Sequence, residues 1–485
     1  MFLQPFRLLF LMVVVSLAAG CATSFPEVES DFEQNWQPSE YQAEVYLIPS
    51  ASEALARRID MIRSAKVSID MTYFSWDKDI VGLMLLEEVK IAAERGVKVR
   101  LVLDDLLVFD EKWLAEVSQN PNMEVRLFNP FDSRKAGWLG RVGDFASHKQ
   151  TLDHRLHEKY FNVDHEHMIL GGRNIGAAYF GYSDAANFFD TDVLFQGEVI
   201  EAFAHNYDQL WGSEHLVAIA DLIQPVKPEQ TIEFEKAKHK EFMQRQDVIE
   251  AVDASIEALR EVETLSVVVT PVFDSAKKIN DSKPYFRARA EQLVQAPLEK
   301  AKTVTISTPY VIAHNGEFTF IDQLIENNID VTLVTNSSSS NDSAFIPAYY
   351  EQYREQLLDK GVNIYEYKDN AVNEDNFYQG DTYYHNKTVI IDDKLTYIGS
   401  SNFDPRSDYL NMEFGVFIQS KTFAKQVKRH LLQKKDELYW QVSRDPEGKT
   451  LWVSGEQVET SSPNYGAVHK VPDWLFRKLN VELEL

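Results

Sequence analysis

The chain has 485 residues, of which 44% are hydrophobic and 12% aromatic, and its formal net charge is −26. This is enough apolar material for a packed core and too much chain for one ordinary domain, so two domains of about 200 residues are expected. The balance of 75 acidic and 49 basic residues argues against nucleic acid as the main partner, because proteins that bind nucleic acid usually present a basic domain.

The first twenty residues are predicted to be a signal peptide. Arg7 precedes an uncharged run, residues 8–19, which is too short to span a bilayer as a helix and is typical of a signal-peptide core. The run ends in LAAGC, which resembles the bacterial lipobox, where cleavage precedes a cysteine that then receives lipid. Cys21 is also the only cysteine, so an internal disulfide is impossible. We expect a lipoprotein anchored through Cys21 that faces the periplasm of a bacterial cell envelope. Ala22 slightly favours the outer membrane over the inner one; an ordinary secretion signal or an unprocessed membrane tether is the alternative.

The rest of the chain is predicted to contain the same order of helices and strands twice. Each half has a helical stretch before a short hydrophobic strand, then a helix end followed by a second strand, and then a third strand. In chain order the matching segments are 65–74 with 301–311, 94–105 with 326–337, and 122–130 with 361–369. Strands that alternate with helices favour βαβ units. We therefore predict two similar α/β domains, each a mostly parallel central sheet flanked by helices, packed with pseudo-twofold symmetry.

The predicted boundaries are a signal peptide at 1–20, a tether at 21–45, a first domain at 46–235 and a second at 236–485. The break near residue 235 is placed within about twenty residues, because the charged helical segment 233–262 suits either a cap on the first domain or a link to the second. The serine-rich run 336–343 is predicted to be a loop at a strand end, where substrate sites of parallel sheets tend to lie.

Two short stretches carry the chemistry: HEKYFNVD at 157–164 and HNKTVIID at 385–392. An asparagine follows the histidine after 17 residues in both copies, at Asn174 and at Asn402, so the whole block is duplicated. Side chains two apart share one face of a strand, so each histidine points the same way as its lysine. A single histidine of this kind is more often structural, and the matched spacing of two copies is what favours a site.

A pseudo-twofold axis that joined the copies would place two histidines, two lysines and two asparagines around one pocket. Such a pocket suits a phosphate: lysines and asparagines hold its oxygens, one histidine attacks phosphorus, and the other protonates the leaving alcohol. This scheme requires no metal and no cofactor.

On these residues the sequence resembles the phospholipase D superfamily, whose members carry the motif HxKxxxxD twice across two similar α/β halves. The resemblance covers nearly the whole chain after residue 21. It implies a phosphate site lined by His157, Lys159, Asn174, His385, Lys387 and Asn402. By the same resemblance His157 is expected to be the nucleophile and His385 the general acid and base.

Four acidic residues are expected to support this site. Asp164 and Asp392 are the last residues of the two motifs, and their spacing does not continue the one that relates each histidine to its lysine. They are therefore predicted to stabilise strand and turn geometry. A later acid in each half, Asp192 and Glu413, matches the superfamily position that hydrogen-bonds and orients the motif histidine.

Within the superfamily the sequence is most similar to bacterial cardiolipin synthases of the C type. The segments that carry this similarity are 125–131, 171–181, 190–197 and 385–407. The similarity implies synthesis of cardiolipin from phosphatidylglycerol and a phospholipid donor such as phosphatidylethanolamine, by a monomer at a membrane surface. A hydrolytic phospholipase D that releases phosphatidic acid shares every motif, and a non-catalytic anchored scaffold is a remote alternative.

Glu158 departs from the family pattern and is expected to point away from the pocket. Six basic residues between 132 and 161 form a positive island that is expected to approach anionic headgroups.

Overall fold

The computed structural model describes residues 25–109, 111–224, 230–312, 316–343, 346–373 and 375–466. The predicted signal peptide and Cys21 lie outside these ranges. Within them, no helix combines the length and the apolar character that crossing a membrane requires.

The first half of the chain contains ten strands and eight helices among its described residues. The strands are β1 (Tyr41–Ile48), β2 (Ser68–Tyr73), β3 (Lys98–Asp104), β4 (Met123–Phe128), β5 (Arg155–Leu156), β6 (Tyr160–Val163), β7 (His167–Gly171), β8 (Ala186–Phe189), β9 (Asp192–Gly197) and β10 (Leu216–Ala218). The helices are α1 (Ala51–Ser64), α2 (Ile80–Glu94), α3 (Lys112–Val117), α4 (Gly137–Leu152), α5 (Val199–Trp211), α6 (Ile219–Leu222), α7 (Ile232–Gln244) and α8 (Gln246–Glu257).

The second half repeats this order and ends in an additional hairpin. Its strands are β11 (Leu265–Phe273), β12 (Thr303–Ser307), β13 (Asp330–Asn336), β14 (Asn363–Tyr367), β15 (Asp381–Tyr384), β16 (Thr388–Ile391), β17 (Leu395–Gly399), β18 (Asn411–Met412), β19 (Phe414–Gln419), β20 (Tyr439–Arg444), β21 (Thr450–Ser454) and β22 (Gln457–Glu459). Its helices are α9 (Lys278–Asp281), α10 (Tyr285–Leu298), α11 (Gly316–Glu326), α12 (Ile346–Asp359), α13 (Pro405–Tyr409), α14 (Lys421–Leu432) and α15 (Lys435–Leu438).

The two halves share one continuous sheet. In the first half the order runs β10-β4-β3-β2-β6-β7-β9-β1, and β1 then pairs with β11 of the second half. From β11 the order continues β19-β17-β16-β12-β13-β14-β20-β21-β22. The predicted α/β class is confirmed, but the sheet is mixed rather than mostly parallel. Within this sheet, the described strands pair in parallel only in β2-β3-β4 and β12-β13-β14, because each motif strand returns as an antiparallel hairpin rather than through a helix.

Apolar side chains fill three large buried clusters, one within each half and one where the halves meet. The central cluster includes Leu156, Phe189, Tyr384 and Met412, which flank the two motif histidines in sequence or across a strand pair. The two motifs therefore lie on strands that the apolar cluster at the junction of the halves holds in place.

Helices α7 and α8, within the charged segment whose assignment the sequence left open, pack against the first half. Phe234, Val248 and Val252 are buried in the apolar cluster of that half, and α8 lies along α1. The carboxylate of Glu116 accepts hydrogen bonds from the backbone N–H groups of Glu233 (2.8 Å) and Phe234 (3.0 Å) and so caps the start of α7.

Candidate active site

Two short parallel ladders between the halves position the motif histidines. In one, β5 of the first half pairs with β18 of the second; in the other, β8 pairs with β15. Each ladder continues into a motif histidine: the His157 N–H donates to the Met412 carbonyl (3.0 Å), and the His385 N–H donates to the Phe189 carbonyl (2.8 Å). Each histidine therefore sits beside the residue that follows its partner strand in the other half.

His157 is held by Glu413. Its Nδ1 lies 2.9 Å and 3.1 Å from the two carboxylate oxygens, and Ser400 donates a further hydrogen bond to the same carboxylate. Burial raises the pKa of Glu413, but the charges of His157 and Lys159 and these hydrogen bonds outweigh it and lower the pKa to about 2. Glu413 is therefore an ionised carboxylate that fixes the His157 proton on Nδ1 and leaves Nε2 with a free lone pair.

His385 is held by Asp190, whose Oδ2 lies 2.7 Å from Nδ1. The prediction that Asp192 makes this contact is wrong. In the sheet Gly171 faces Asp192 and the equivalent Gly399 faces Gly415, so the position equivalent to Glu413 is Asp190, two residues before Asp192. Asp192 instead forms a buried ion pair with Arg58 at 2.9 Å.

The two motif lysines take matching positions. Lys159 donates to the carbonyl of His157, and Lys387 donates to the carbonyl of His385, both at 2.6 Å. Both side chains are buried. Burial and the charge of the other lysine lower the pKa of Lys159 well below its ordinary value, while burial lowers the pKa of Lys387 to about 8, opposed by Asp190 and Glu413. Two cations that repel each other within a buried pocket favour the entry of an anion.

Charged groups of the other half of the chain change the pKa of each motif histidine. Burial lowers the pKa of His157 to about 4, with Glu413 opposing and both motif lysines adding to the effect. Burial also lowers the pKa of His385 well below its ordinary value, together with the charges of Lys387, Lys159 and His157. Both imidazoles are therefore neutral at neutral pH. The two motifs thus belong to one site.

Aromatic rings line the histidines. Phe74 lies edge-on to His157 at 5.6 Å between ring centres, while Tyr179 and Phe188 each lie 5.4 Å from His385. Asn174 donates to the Tyr179 hydroxyl (3.1 Å) and is therefore near His385. In the part of the chain that the structure describes, the Oδ1 atom of Asn402 is buried without a hydrogen-bond partner.

Asp164 and Asp392 brace turns rather than face the pocket. Both have positive φ angles, 57° and 53°, just after the motif strands. The Asp164 carboxylate accepts three backbone N–H bonds, from residues 66, 67 and 68, and Asp392 accepts two, from residues 302 and 303. These contacts agree with the structural role expected from the sequence.

The expected positive island is largely neutralised inside the protein. Arg134 and Arg141 pair with Asp105, and Arg155 lies 3.5 Å from Asp104. Arg141 and Arg155 are each only 1% exposed. The expectation that these arginines approach anionic headgroups is therefore wrong.

Glu158, between the motif histidine and lysine, is buried beside Asn206. Burial and the nearby charges of Asp274 and Glu413 raise its pKa to about 8. Asn386 takes the same position in the second motif. It donates a hydrogen bond to the Thr191 hydroxyl of the first half and accepts one from the Ser307 hydroxyl (2.7 Å).

Several supporting residues escaped the sequence analysis. Asp190, Ser400 and Arg173 are the main ones, and Arg173 donates to the backbone carbonyl of Asp190. Their signal was available only in part: Asp190 lies in the same short stretch of sequence as Asp192, but the distance from the motif does not match that of Glu413 in the second half. Only strand register separates Asp190 from Asp192. Among the described ranges, no three His, Cys, Asp or Glu side chains converge as metal ligands would.

Known proteins resemble this chain over most of its length. The family model described as "Cardiolipin synthase, PLD-like domain" matches residues 58–211 and 291–435. Cardiolipin synthase C of Escherichia coli (strain K12) is 30% identical over 85% of this chain and 89% of its own. The minor cardiolipin synthase of Bacillus subtilis (strain 168) is 25% identical over 88% of this chain and 90% of its own.

A protein of Helicobacter pylori (strain ATCC 700392 / 26695) that carries no functional name is 31% identical over 79% of this chain and 78% of its own. Among solved structures, phosphatidylserine synthase of Haemophilus influenzae Rd KW20 superposes with a TM-score of 0.61 at 18% identity, covering 91% of this chain and 95% of that one. At this identity the likeness shows the fold alone.

Proposed function

The chain belongs to the family of cardiolipin synthases with phospholipase D-like domains, and on that premise we propose that it transfers phosphatidyl groups between membrane phospholipids. The most specific form of the proposal is synthesis of cardiolipin from phosphatidylglycerol and a second phospholipid. The observation that carries it is the pairing of each motif histidine with a carboxylate from the other half, with both motif lysines beside them.

The reaction needs two displacements at one phosphorus. Nε2 of one histidine attacks phosphorus, the bond to the leaving alcohol breaks, and the other histidine gives its proton to the departing oxygen. An incoming hydroxyl then attacks the phosphohistidine, the second histidine takes its proton, and the phosphorus–nitrogen bond breaks. The lysines and the asparagines Asn174 and Asn402 hold the phosphate oxygens as negative charge develops.

His157 is the proposed nucleophile. Its partner Glu413 has a pKa lowered to about 2, whereas burial raises the pKa of Asp190, the partner of His385. The more firmly ionised carboxylate makes Nε2 of His157 the better electron donor and stabilises the positive ring that forms on attack.

His385 must carry a proton to act as the acid. Its pKa is lowered by burial and by the two lysine charges. A phosphodiester anion between the lysines offsets those charges, so binding of the substrate favours protonated His385.

An anchor at Cys21 would hold this site near a bilayer. Phe25 stacks on Tyr409 with ring centres 4.2 Å apart, and Tyr409 ends the helix α13 that follows Asn402. Phe25 lies four positions after Cys21, and that length of chain reaches at most about 14 Å. We propose that the lipidated chain enters the membrane beside the active site, with the outer membrane slightly favoured over the inner one.

The test is lipid turnover by purified protein that begins at Ser24, in chelator, with vesicles of phosphatidylglycerol and phosphatidylethanolamine. Appearance of cardiolipin supports phosphatidyl transfer, while phosphatidic acid alone identifies the hydrolytic alternative. His157→Ala and His385→Ala are expected to remove at least 99% of the product. His205→Ala is the matched control, since that histidine is exposed on α5. Unchanged turnover in both motif variants would contradict the proposed site.

The order of the histidines is tested by trapping. His385→Ala is expected to accumulate a covalent phosphatidyl adduct on His157 that intact mass spectrometry detects after an alkaline quench. An adduct on position 385 in His157→Ala would reverse the assignment. Mass spectrometry of the mature N-terminus tests the anchor separately: a Cys21 without acyl chains would refute it.

A further inference from the structure

An apolar cavity of about 160 Å³ lies in the second half, between its sheet and the helices α10 and α11. Its walls come from Phe286 and Val294 on α10, Ile306 and Val389 on the sheet, and Phe403 on the loop before α13. These residues belong to the apolar cluster of the second half, so the cavity is an unfilled part of that core.

One end of the cavity meets the proposed phosphate site. Asn402, which is proposed to hold a phosphate oxygen, lines the cavity together with its neighbour Ser401 and with Thr308. The polar rim includes Arg287 and Asp408, which form an ion pair at 2.6 Å. The lining is thus mainly apolar, with polar groups at the site, at the rim and from Ser307, Thr388 and Tyr397.

At the equivalent place in the first half, a buried arginine, Arg58, occupies the space beside the sheet. Arg58 reaches the Tyr73 hydroxyl (3.3 Å) and Asp192 (2.9 Å) and lies over the Phe161 ring. Strand register makes these three residues equivalent to Thr308, Gly415 and Val389 in the second half. Thr308 and Val389 line the cavity, and Gly415 has no side chain with which to pair a cation.

This asymmetry points to a ligand. Two halves that contribute equally to the phosphate site differ in whether the adjoining core is filled. Close packing is the norm in protein interiors, so an apolar void that adjoins a reactive centre is a site for apolar substrate atoms.

We propose that this cavity binds the part of one acyl chain nearest the glycerol, in the phospholipid whose phosphate lies between His157 and His385. The inference rests on the proposed function for its substrate class and adds a second point of recognition. The chain would enter beside Asn402, and its far end would leave past the rim toward the membrane.

The size supports part of a chain rather than a whole one. A dry apolar cavity of about 150 Å³ holds benzene, which has six carbons. The present cavity therefore accepts about six carbons of an acyl chain. Each buried methylene is worth about fourfold in binding, so loss of even two or three contacts is measurable.

The experiment fills the cavity and follows the lipid. Ala290 lines the cavity from α10, and Ala290→Phe places a ring inside it. Ala296→Phe is the matched control, because Ala296 is exposed on the same helix. Phosphatidylglycerol with a diazirine in the upper part of one acyl chain is incorporated into phosphatidylglycerol vesicles, irradiated with each protein, and mapped by peptide mass spectrometry.

We expect labels on residues 286–294 and 401–417 of the unmodified protein, reduced at least fivefold in Ala290→Phe and unchanged in Ala296→Phe. In turnover, Ala290→Phe is expected to lower kcat/KM for dioctanoyl phosphatidylglycerol at least tenfold relative to the dibutanoyl compound. Should Ala290→Phe fail to fold, Val389→Phe replaces it, since the first half already has Phe161 at that position.

The outcomes separate the two proposals. Labels elsewhere in the chain, or labels that Ala290→Phe leaves unchanged, overturn the acyl-chain site. Labels in the cavity without turnover of any lipid support the acyl-chain site and contradict phosphatidyl transfer.

Discussion

Glu413→Gln is expected to lower phosphatidyl transfer about a hundredfold without unfolding the protein. The carboxylate has a pKa of about 2 instead of its ordinary 4.5, although burial alone would raise it. A fall of this size corresponds to about 3 kcal/mol of favourable interaction with His157, Lys159 and Ser400. Glutamine keeps the size and one acceptor oxygen but not the charge. If the lost interaction stabilises the positive ring during attack, about two powers of ten in rate disappear.

The assay is kcat/KM for dioctanoyl phosphatidylglycerol across pH, with circular dichroism to confirm folding. Because Glu413 raises the pKa of His157, which is about 4, the variant is expected to move the acid limb of the profile to lower pH. Glu116→Gln is the matched control: it too is buried, but it caps α7 and is expected to reduce stability by about 1–3 kcal/mol with kcat/KM unchanged. A Glu413→Gln rate within threefold of the unmodified protein would refute the reasoning.

Three further predictions follow from the supporting acids. Asp190→Asn is expected to lower kcat about a hundredfold, whereas Asp192→Asn leaves Arg58 buried without its anion and is expected to lower the free energy of unfolding by about 3–5 kcal/mol; equal kinetic effects would contradict the register assignment. Asp164→Ala removes the acceptor of three backbone N–H bonds and is expected to cost about 1–3 kcal/mol in denaturant unfolding, with kcat of the folded protein unchanged. Glu158 has a pKa of about 8 when folded and about 4.5 when unfolded, so it reduces stability as pH rises from 4.5 to 8. Glu158→Gln is expected to flatten that decline, by at most about 5 kcal/mol at pH 8, and identical urea midpoints at pH 5 and pH 8 in the unmodified protein would contradict it.

The sequence was sufficient for the parts of the site that follow a fixed spacing. Histidine, lysine and asparagine recur at identical intervals, and a strand places His157 with Lys159 and His385 with Lys387 whatever surrounds them. The turn role of Asp164 also followed from spacing, because the residue after a motif strand lies at a turn.

The sequence was not sufficient wherever a contact joins distant segments. Asp190 and Asp192 are only two residues apart, and the sequence around them does not show which one contacts His385. The pairing of β8 with β15 decides this. From the sequence, the basic residues between 132 and 161 were expected to form a positive island at the surface. In the structure Asp104 and Asp105, which lie at the end of β3, neutralise three of them.

The sequence by itself therefore determined the α/β class, the duplication and the six residues proposed for the phosphate site, because local periodicity and repeat spacing encode them. Only the tertiary structure decided that each histidine takes its carboxylate from the opposite half, that the sheet is mixed, and that a cavity adjoins Asn402. Those features depend on strand register and on which side chains fill a shared core, and neither quantity is written in the spacing of residues along one chain.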